Sequence, residues 1–186
     1  MAKDGPPDEE LMDAYSHGQE TAFLELYGRY EARAFSFLKL SLGKSRSHLA
    51  QEIFQKTWLK VHQSRRSFDR KKRFSSWFFT IAMNTLRDEV GQAREKRIHE
   101  NIDNAVLVSS EPLADELFSR AQNLEKLSHC LGRLPDRQRE IVLLIDLEGF
   151  SSQEASKMLA LSDSAVRQLL FRARKGLREL FSTEES

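Results

Sequence analysis

Arg167, Gln168, Phe171, Arg172 and Lys175 crowd the stretch SDSAVRQLLFRARKGLREL, Ser162 to Leu180. Their chemistry is recognition rather than bond-making. An arginine fork pairs bidentately with guanine, a glutamine amide pairs with adenine, and an apolar ring fits a thymine methyl. At about 100° per residue, Val166, Leu169, Leu170, Ala173, Leu177, Leu180 and Phe181 share one helical stripe. Ser164, Arg167, Gln168, Lys175 and Arg178 point away from it. Phe171 points with them, roughly 140° off the stripe. A solvated basic face with one stray aromatic is the plain alternative, since single exposed apolar residues are common.

The preceding residues favour recognition. In SSQEASKMLALSDSAV, Ser151 and Glu154 have the spacing of a capping box, so a short helix starts there. Leu161 breaks the run, and Ser162 can cap the next helix. A short helix, a tight turn and a longer basic helix make a helix-turn-helix, whose second helix enters the major groove with its outer face. That face is Ser164, Arg167, Gln168, Phe171 and Lys175, with Arg172 beside it as a candidate phosphate contact.

The same question arises near 46–63. Leu49, Ala50, Ile53, Phe54, Thr57 and Val61 form an inner stripe. Glu52, Gln55, Trp58 and Leu59 are expected on the other side, as a docking face for a partner protein. A further helix of the same unit covering them is the alternative. The basic loop after this helix carries Arg65, Arg66, Lys71, Lys72 and Arg73 and can hold phosphates. In the next helix Phe74, Phe78, Ile81, Ala82 and Leu86 are expected inward, and Thr80, Asn84, Arg87 and Arg94 outward. Amide and guanidinium groups beside an aromatic-rich basic loop can grip an unstacked base and its backbone.

Bond-making chemistry finds little support. The five histidines are scattered without metal spacing. P-loop, Gly-x-Ser-x-Gly and HExxH patterns are absent. Cys130 is the lone cysteine, so no disulfide framework or CxxC zinc site forms within one chain, which fits a reducing cytosol. No catalytic residue, metal or cofactor is expected. No apolar run approaches the roughly 18 residues of a membrane span. The acidic opening MAKDGPPDEE is not expected to be a secretory signal.

Nearly all of the chain reads as helix, with segments near 8–17, 19–40, 46–63, 73–98, 112–132, 135–148, 152–160 and 163–181. Only Asn104 to Val108 hints at strand periodicity. Hydrophobic residues at 40% allow a core, and 31% charged residues with a net charge of +1 give solubility. That balance hides segregation: an acidic first thirty or so residues, a basic middle. The segment 99–111 lacks helical period, and Ser110 with Pro112 resembles a helix start. The expected fold is all-α: helical domains over 8–98 and 112–183, joined by a flexible linker at 99–111.

Taken in order, EIFQKTWLKV, then F…WFFTIAMN, then LGRLPDRQREIVLLIDLEGFSSQEASKMLALSDSAVRQLLFRARKGL resemble the extracytoplasmic-function group of bacterial RNA polymerase sigma factors. The resemblance covers nearly the whole chain after about residue 8. It implies a region 2 helical bundle that binds the polymerase clamp helices and melts and reads the −10 element as single strand. It also implies a region 4 helix-turn-helix that reads the −35 duplex and holds the polymerase flap. Gln55 then falls on the clamp contact, Asn84 on the −10 surface, and Asp163 to Arg174 on the recognition helix. The implied partners are polymerase core, promoter DNA and an anti-sigma factor; the implied place is the cytoplasm, with no membrane contact of the chain's own. The sequence departs from the usual pattern: Trp77-Phe78 replaces W-L, Arg94 is delayed after Asp88, Ala155-Ser156 follows Glu154, Ala160 stands for the turn glycine, and Ser164-Ala165 precedes Val166. A stand-alone helix-turn-helix regulator with an N-terminal dimerising or sensing domain, and a nucleic-acid enzyme, are the competing readings.

Overall fold

The computed structural model describes residues 5–100 and 126–184, with 96–100 and 184 as backbone alone. The first half holds α1 (Asp8–Ser16), α2 (Glu20–Leu42), α3 (Ala50–Ser64) and α4 (Phe74–Glu100). One 3₁₀ segment, Lys44–Leu49, leads into α3, and another, Arg65–Ser67, comes directly after it. The second half holds α5 (126–133 as described), α6 (Asp136–Val142), α7 (Ser152–Leu159) and α8 (Asp163–Glu184). No strand occurs among the described residues. The expected strand hint at 104–108, the helix start near Pro112 and most of the linker lie outside them. The first two linker positions, 99 and 100, close α4 instead.

Acidic residues of α1 tie the first half together. Asp8 accepts from Tyr30 Oη at 2.7 Å and from Arg29 Nη1 at 2.6 Å. Glu9 accepts the backbone N–H of Phe74 at 2.8 Å, satisfying a donor at the start of α4 that has no partner within the helix. Burial pushes the Tyr30 hydroxyl pKa up, and the Asp8 carboxylate adds to the rise. The acidic N-terminal stretch therefore serves internal pairing, a use its charge count does not reveal.

Aromatic rings fill the space between α2, α3 and α4, and here one expectation is corrected. Trp58 does not face outward; it is 5% exposed. Its ring lies 5.5 Å from Phe23 and 5.2 Å from Tyr27 on α2, and 5.0 Å from Phe78 on α4. The physical reason is that α3 is flanked by both neighbours, so its buried arc is wider than the stripe facing one helix. Glu52, Gln55 and Leu59 are exposed as expected, Leu59 at 55%.

In the second half, Pro135 with φ −53° and ψ 142° precedes α6 as its N-cap, so the helix begins one position later than its expected start at 135. Ile141 to Leu144 are buried. The helix then widens into a π turn over Leu143–Leu147, closed by Glu148 N–H donating to the Leu143 carbonyl at 3.0 Å. Gly149, at φ 75°, turns the chain so that Phe150 points inward, 3% exposed. A bulge of this kind re-aims the residues beyond it.

The halves pack on one another, and their buried side chains form one continuous core. Phe79 of α4 meets Phe150 at 5.5 Å, edge to face. Arg33 of α2 lies 5.2 Å from the Phe79 ring centroid and pairs with Glu148, whose side chain is 3% exposed. Burial pushes the Glu148 carboxyl pKa up, against the pull of Arg33. Arg46 bonds Asp136 at 2.6 Å. Arg139, 2% exposed, donates to the carbonyls of Ser41 at 2.8 Å and Leu134 at 3.2 Å.

This packing sets two measurable outcomes. Trp58→Ala should lose about 3–5 kcal/mol of stability in a denaturant melt, as large aromatic truncations in cores do. The second concerns acid. Burial alone would raise the Asp136 carboxyl pKa, but Arg46 and Arg139 outweigh it and hold it below the ordinary value. A depressed carboxyl contributes stability above its unfolded pKa, about 3.9, and loses it as pH falls through the folded one. Wild type should therefore weaken more steeply below about pH 4 than Asp136→Asn, as measured by thermal melts against pH.

Candidate nucleic-acid interface

The turn between α7 and α8 is built as its residues dictate. Ser151 Oγ accepts from Glu154 N–H at 3.2 Å, and Ser151 N–H donates back to Glu154 Oε2 at 2.9 Å, so the capping box forms. Ser162 Oγ accepts from Ala165 N–H at 3.2 Å and caps α8. Between them Ala160 takes the left-handed conformation, φ 52° and ψ 47°, while Leu161 N–H closes on the Ser156 carbonyl at 2.9 Å. The turn geometry demands this conformation and the sequence supplies an alanine.

Helix α8 buries Val166, Leu170 and Ala173. Ser164, Arg167, Gln168, Phe171, Arg172 and Lys175 are all exposed. Phe171 is 67% exposed, so the ring does stand among cations on the wet face. With Leu170 and Leu177 it floors a shallow groove of about 530 Å³ rimmed by Arg167, Arg174 and Arg178. Arg174 is bound differently: it grips Asp146 of the π turn at 2.5 and 3.1 Å, and that contact raises its pKa. It anchors α8 to the π turn that ends α6.

In the first half, Arg66, Lys71, Lys72 and Arg73 are exposed and Arg65 is half-buried. Arg65 Nη1 donates to the His62 carbonyl at 2.7 Å. Arg65 and Arg66, with His17, Ser16, Asp13, Gly18 and Phe68, line an open cleft of about 600 Å³. On α4, Asn84 and Arg94 are exposed. Thr80 is half-buried, its hydroxyl donating to the Ser76 carbonyl at 2.7 Å. Arg87 is only half-outward. Its guanidinium reaches Glu140 at 3.4 Å and the Met158 carbonyl at 3.5 Å, and its Nε is buried without an acceptor. Arg73 Nη1 donates to Glu154 at 3.3 Å, and Ser76 Oγ donates to the same carboxylate at 3.0 Å. Burial would raise the Glu154 pKa, but bonds from Ser151 and Ser76 and the charge of Arg73 hold it below its ordinary value.

The structure thus leaves the six positions read on α8 exposed, and Asn84 and Arg94 exposed on α4. It turns Trp58 inward and ties Arg73 and Arg87 to the second half. Sequence reasoning missed Arg33, Arg139, Glu148 and Glu154 as the residues that join the halves. One signal was available: Arg139 opens a run too apolar for a surface helix, where a cation needs partners.

Residues 26–96 match the family model of sigma-70 region 2, and residues 124–177 match that of sigma-70 region 4. The chain is 31% identical over 182 residues to RNA polymerase sigma factor NccH of Alcaligenes xylosoxydans xylosoxydans, covering 96% of each. It is 28% identical over 166 residues to the ECF RNA polymerase sigma factor SigM of Bacillus subtilis, covering 85% of this chain and 94% of that one. The sigma factor RpoE of Bartonella quintana, solved with the anti-sigma factor NepR, shares the fold with a TM-score of 0.69 at 21% identity, over 86% of this chain and 96% of that one. The chain belongs to the RNA polymerase sigma factors of the sigma-70 family, in their extracytoplasmic-function group. It is an alternative sigma factor.

The turn itself offers a measurement. A left-handed non-glycine residue costs roughly 1–2 kcal/mol, so Ala160→Gly should raise the unfolding free energy by about 1 kcal/mol. Phe171→Ala should shift it by no more than about 1 kcal/mol, because an exposed ring has little burial to lose. Denaturant melts of both variants read these values.

Proposed function

We propose that these surfaces divide the work of transcription initiation between two units, 8–98 and 112–183, connected through 99–111. The exposed face of α8, Ser164, Arg167, Gln168, Phe171, Arg172 and Lys175, reads the −35 duplex. Arg167 and Gln168 address base edges, Phe171 touches a thymine methyl, and Arg172 holds phosphate. The basic loop Arg65, Arg66, Lys71, Lys72 and Arg73, with Thr80, Asn84, Arg87 and Arg94, receives the melted −10 strand. Glu52, Gln55 and Leu59 on α3 meet the polymerase clamp, and Trp58 supports them from within. The observation that carries the reading is the 67% exposed Phe171 on the outer face of a capped second helix, with cations on both sides.

Its partners on this reading are polymerase core, clamp and flap alike, and promoter DNA. An anti-sigma factor is a further partner, supported by the fold shared with a sigma factor solved beside one. Sigma factors are initiation factors, and no catalytic role is assigned to this chain. No helix among the described residues is long and apolar enough to cross a membrane. Work on polymerase places it in the cytoplasm. A stand-alone regulator is disfavoured, because the sigma-factor likeness spans both halves.

Run-off transcription with bacterial core polymerase tests this directly. The purified chain should confer promoter-dependent initiation that core lacks, and a folded chain without that effect would end the reading. Within it, Phe171→Ala should weaken specific −35 duplex binding by about 1–3 kcal/mol and relax one position. Arg172→Ala should weaken all sequences alike and lower the salt slope by about one. Fluorescence titrations across salt separate the two.

A further inference from the structure

The two halves enclose a cleft that transcription initiation leaves unused. Its walls come from 42–46, where α2 ends, and from 128–139, around the bend between α5 and α6, and it holds about 370 Å³. Charge there is one-sided. Among the described lining residues, Lys44, Arg46, Arg133 and Arg139 face a single carboxylate, Asp136. One oxygen of that carboxylate, Oδ1, already receives Arg46 Nη2 at 2.6 Å and also Arg139 Nη2. Lys44 and Arg133 are exposed, and their side chains make no ion pair among the described residues. Burial lowers the Arg139 pKa, Asp136 resists, and the charge of Arg46 adds to the lowering, so the cations repel one another across the cleft. We infer that this cleft is a binding site for a small diphosphate, held between the halves by Lys44, Arg46 and Arg133. The site needs none of the assignments made for the DNA surfaces.

The lining selects the ligand's chemistry. Clefts of a few hundred Å³ take small molecules. Among the described residues no Phe, Tyr or Trp lines this one, so it lacks the platform on which a base stacks. It presents donors instead: the guanidinium groups of Arg46 and Arg133, the Lys44 ammonium, and the hydroxyls of Ser45 and Ser128. A guanidinium fork pairs bidentately with phosphate oxygens, and an ammonium adds a point charge. A phosphate carries about twice the charge of a carboxylate and has three strong acceptor oxygens. Two joined phosphates give each wall its own anion, one for Lys44 and Arg46 on the first half and one for Arg133 on the second. A bound diphosphate therefore clasps the halves as they are packed and stabilises that arrangement by mass action. Gly132 borders the same cleft, and a Cβ on it would meet no atom within 4 Å, so a side chain can be placed there without a clash.

Titration calorimetry of the full chain with inorganic pyrophosphate tests this. Wild type should bind it saturably and more tightly than orthophosphate, and its melting temperature should rise by about 5 °C or more at about a hundred times the Kd. Lys44→Gln and Arg133→Gln, both outside the proposed DNA and polymerase surfaces, should each weaken binding about tenfold or more, the loss expected of one charge-assisted bond. Gly132→Glu, which sets a carboxylate in the cleft and suits a helix better than glycine, should abolish binding. Circular dichroism should show all three variants folded. Arg66→Gln removes the same charge from the other cationic cleft, beside α1, and should leave the affinity unchanged. A nucleoside diphosphate that binds as tightly as pyrophosphate identifies a nucleotide as the source, and binding of pyrophosphate alone identifies the free anion; either outcome keeps the site. A diphosphate site here is overturned if folded wild type shows no saturable binding, if orthophosphate binds as tightly, if the Lys44 and Arg133 variants bind as wild type does, or if Arg66→Gln weakens binding as much as they do.

Discussion

One buried guanidinium ties the end of α2 to the bend between α5 and α6. Arg139 places its donors against the carbonyls of Leu131, Gly132 and Leu134, which end α5 and begin the bend into α6. It also reaches the carbonyl of Ser41 near the end of α2. The last carbonyls of any helix lack partners within it, and burying them unsatisfied is costly. A single fork of donors answers for the ends of two helices at once, and supplies one of the contacts between the halves. Burial pulls its pKa down and Asp136 opposes that pull. Asp136 sits where α6 begins, so the same carboxylate serves the helix start and the cation.

That arrangement explains which parts of the chain were legible in its sequence. Local signals carried the helix-turn-helix: the capping box at Ser151 and Glu154, the cap at Ser162 and the stripe of Val166, Leu170 and Ala173 involve residues within a few positions of one another. The six outward residues of α8 came with them, because a helix that packs on one side leaves its opposite face open. Phe171 is exposed for that reason. Trp58 was illegible for the converse reason. Its cage comes from Phe23, Tyr27 and Phe78, on α2 and α4, and no period within α3 reports how many neighbours that helix has.

Arg87 marks a second kind of limit. Its position on α4 faces away from the bundle of the first half, as the helical step requires. It is nonetheless half-buried, because its cover belongs to α6 and α7. A helical wheel decides which residues leave their own core; it cannot decide what then settles on them. The π turn compounds this. By swinging Glu148 and Phe150 toward Arg33 and Phe79, it aims the second half at the first, and nothing in LLIDLEGF distinguishes a widened turn from an ordinary one.

The net charge of +1 is consequently a poor guide to how this chain meets a polyanion. Its cations fall into groups set by packing. Arg139 is buried and committed to carbonyls. Arg33, Arg46, Arg73 and Arg87 face carboxylates across the halves. Arg167, Arg172, Arg66, Lys71 and Lys72 stand exposed. Binding to nucleic acid gains from counterions released by each phosphate a cation neutralises. A cation already paired releases less, since its carboxylate must first be freed and rehydrated. On the proposed reading the exposed cations, Arg73 with its side chain 65% exposed among them, can meet DNA phosphates as they stand, whereas Arg87, at 23%, must first leave Glu140 and the Met158 carbonyl. Packing, rather than composition, fixes how much of the basic surface is available.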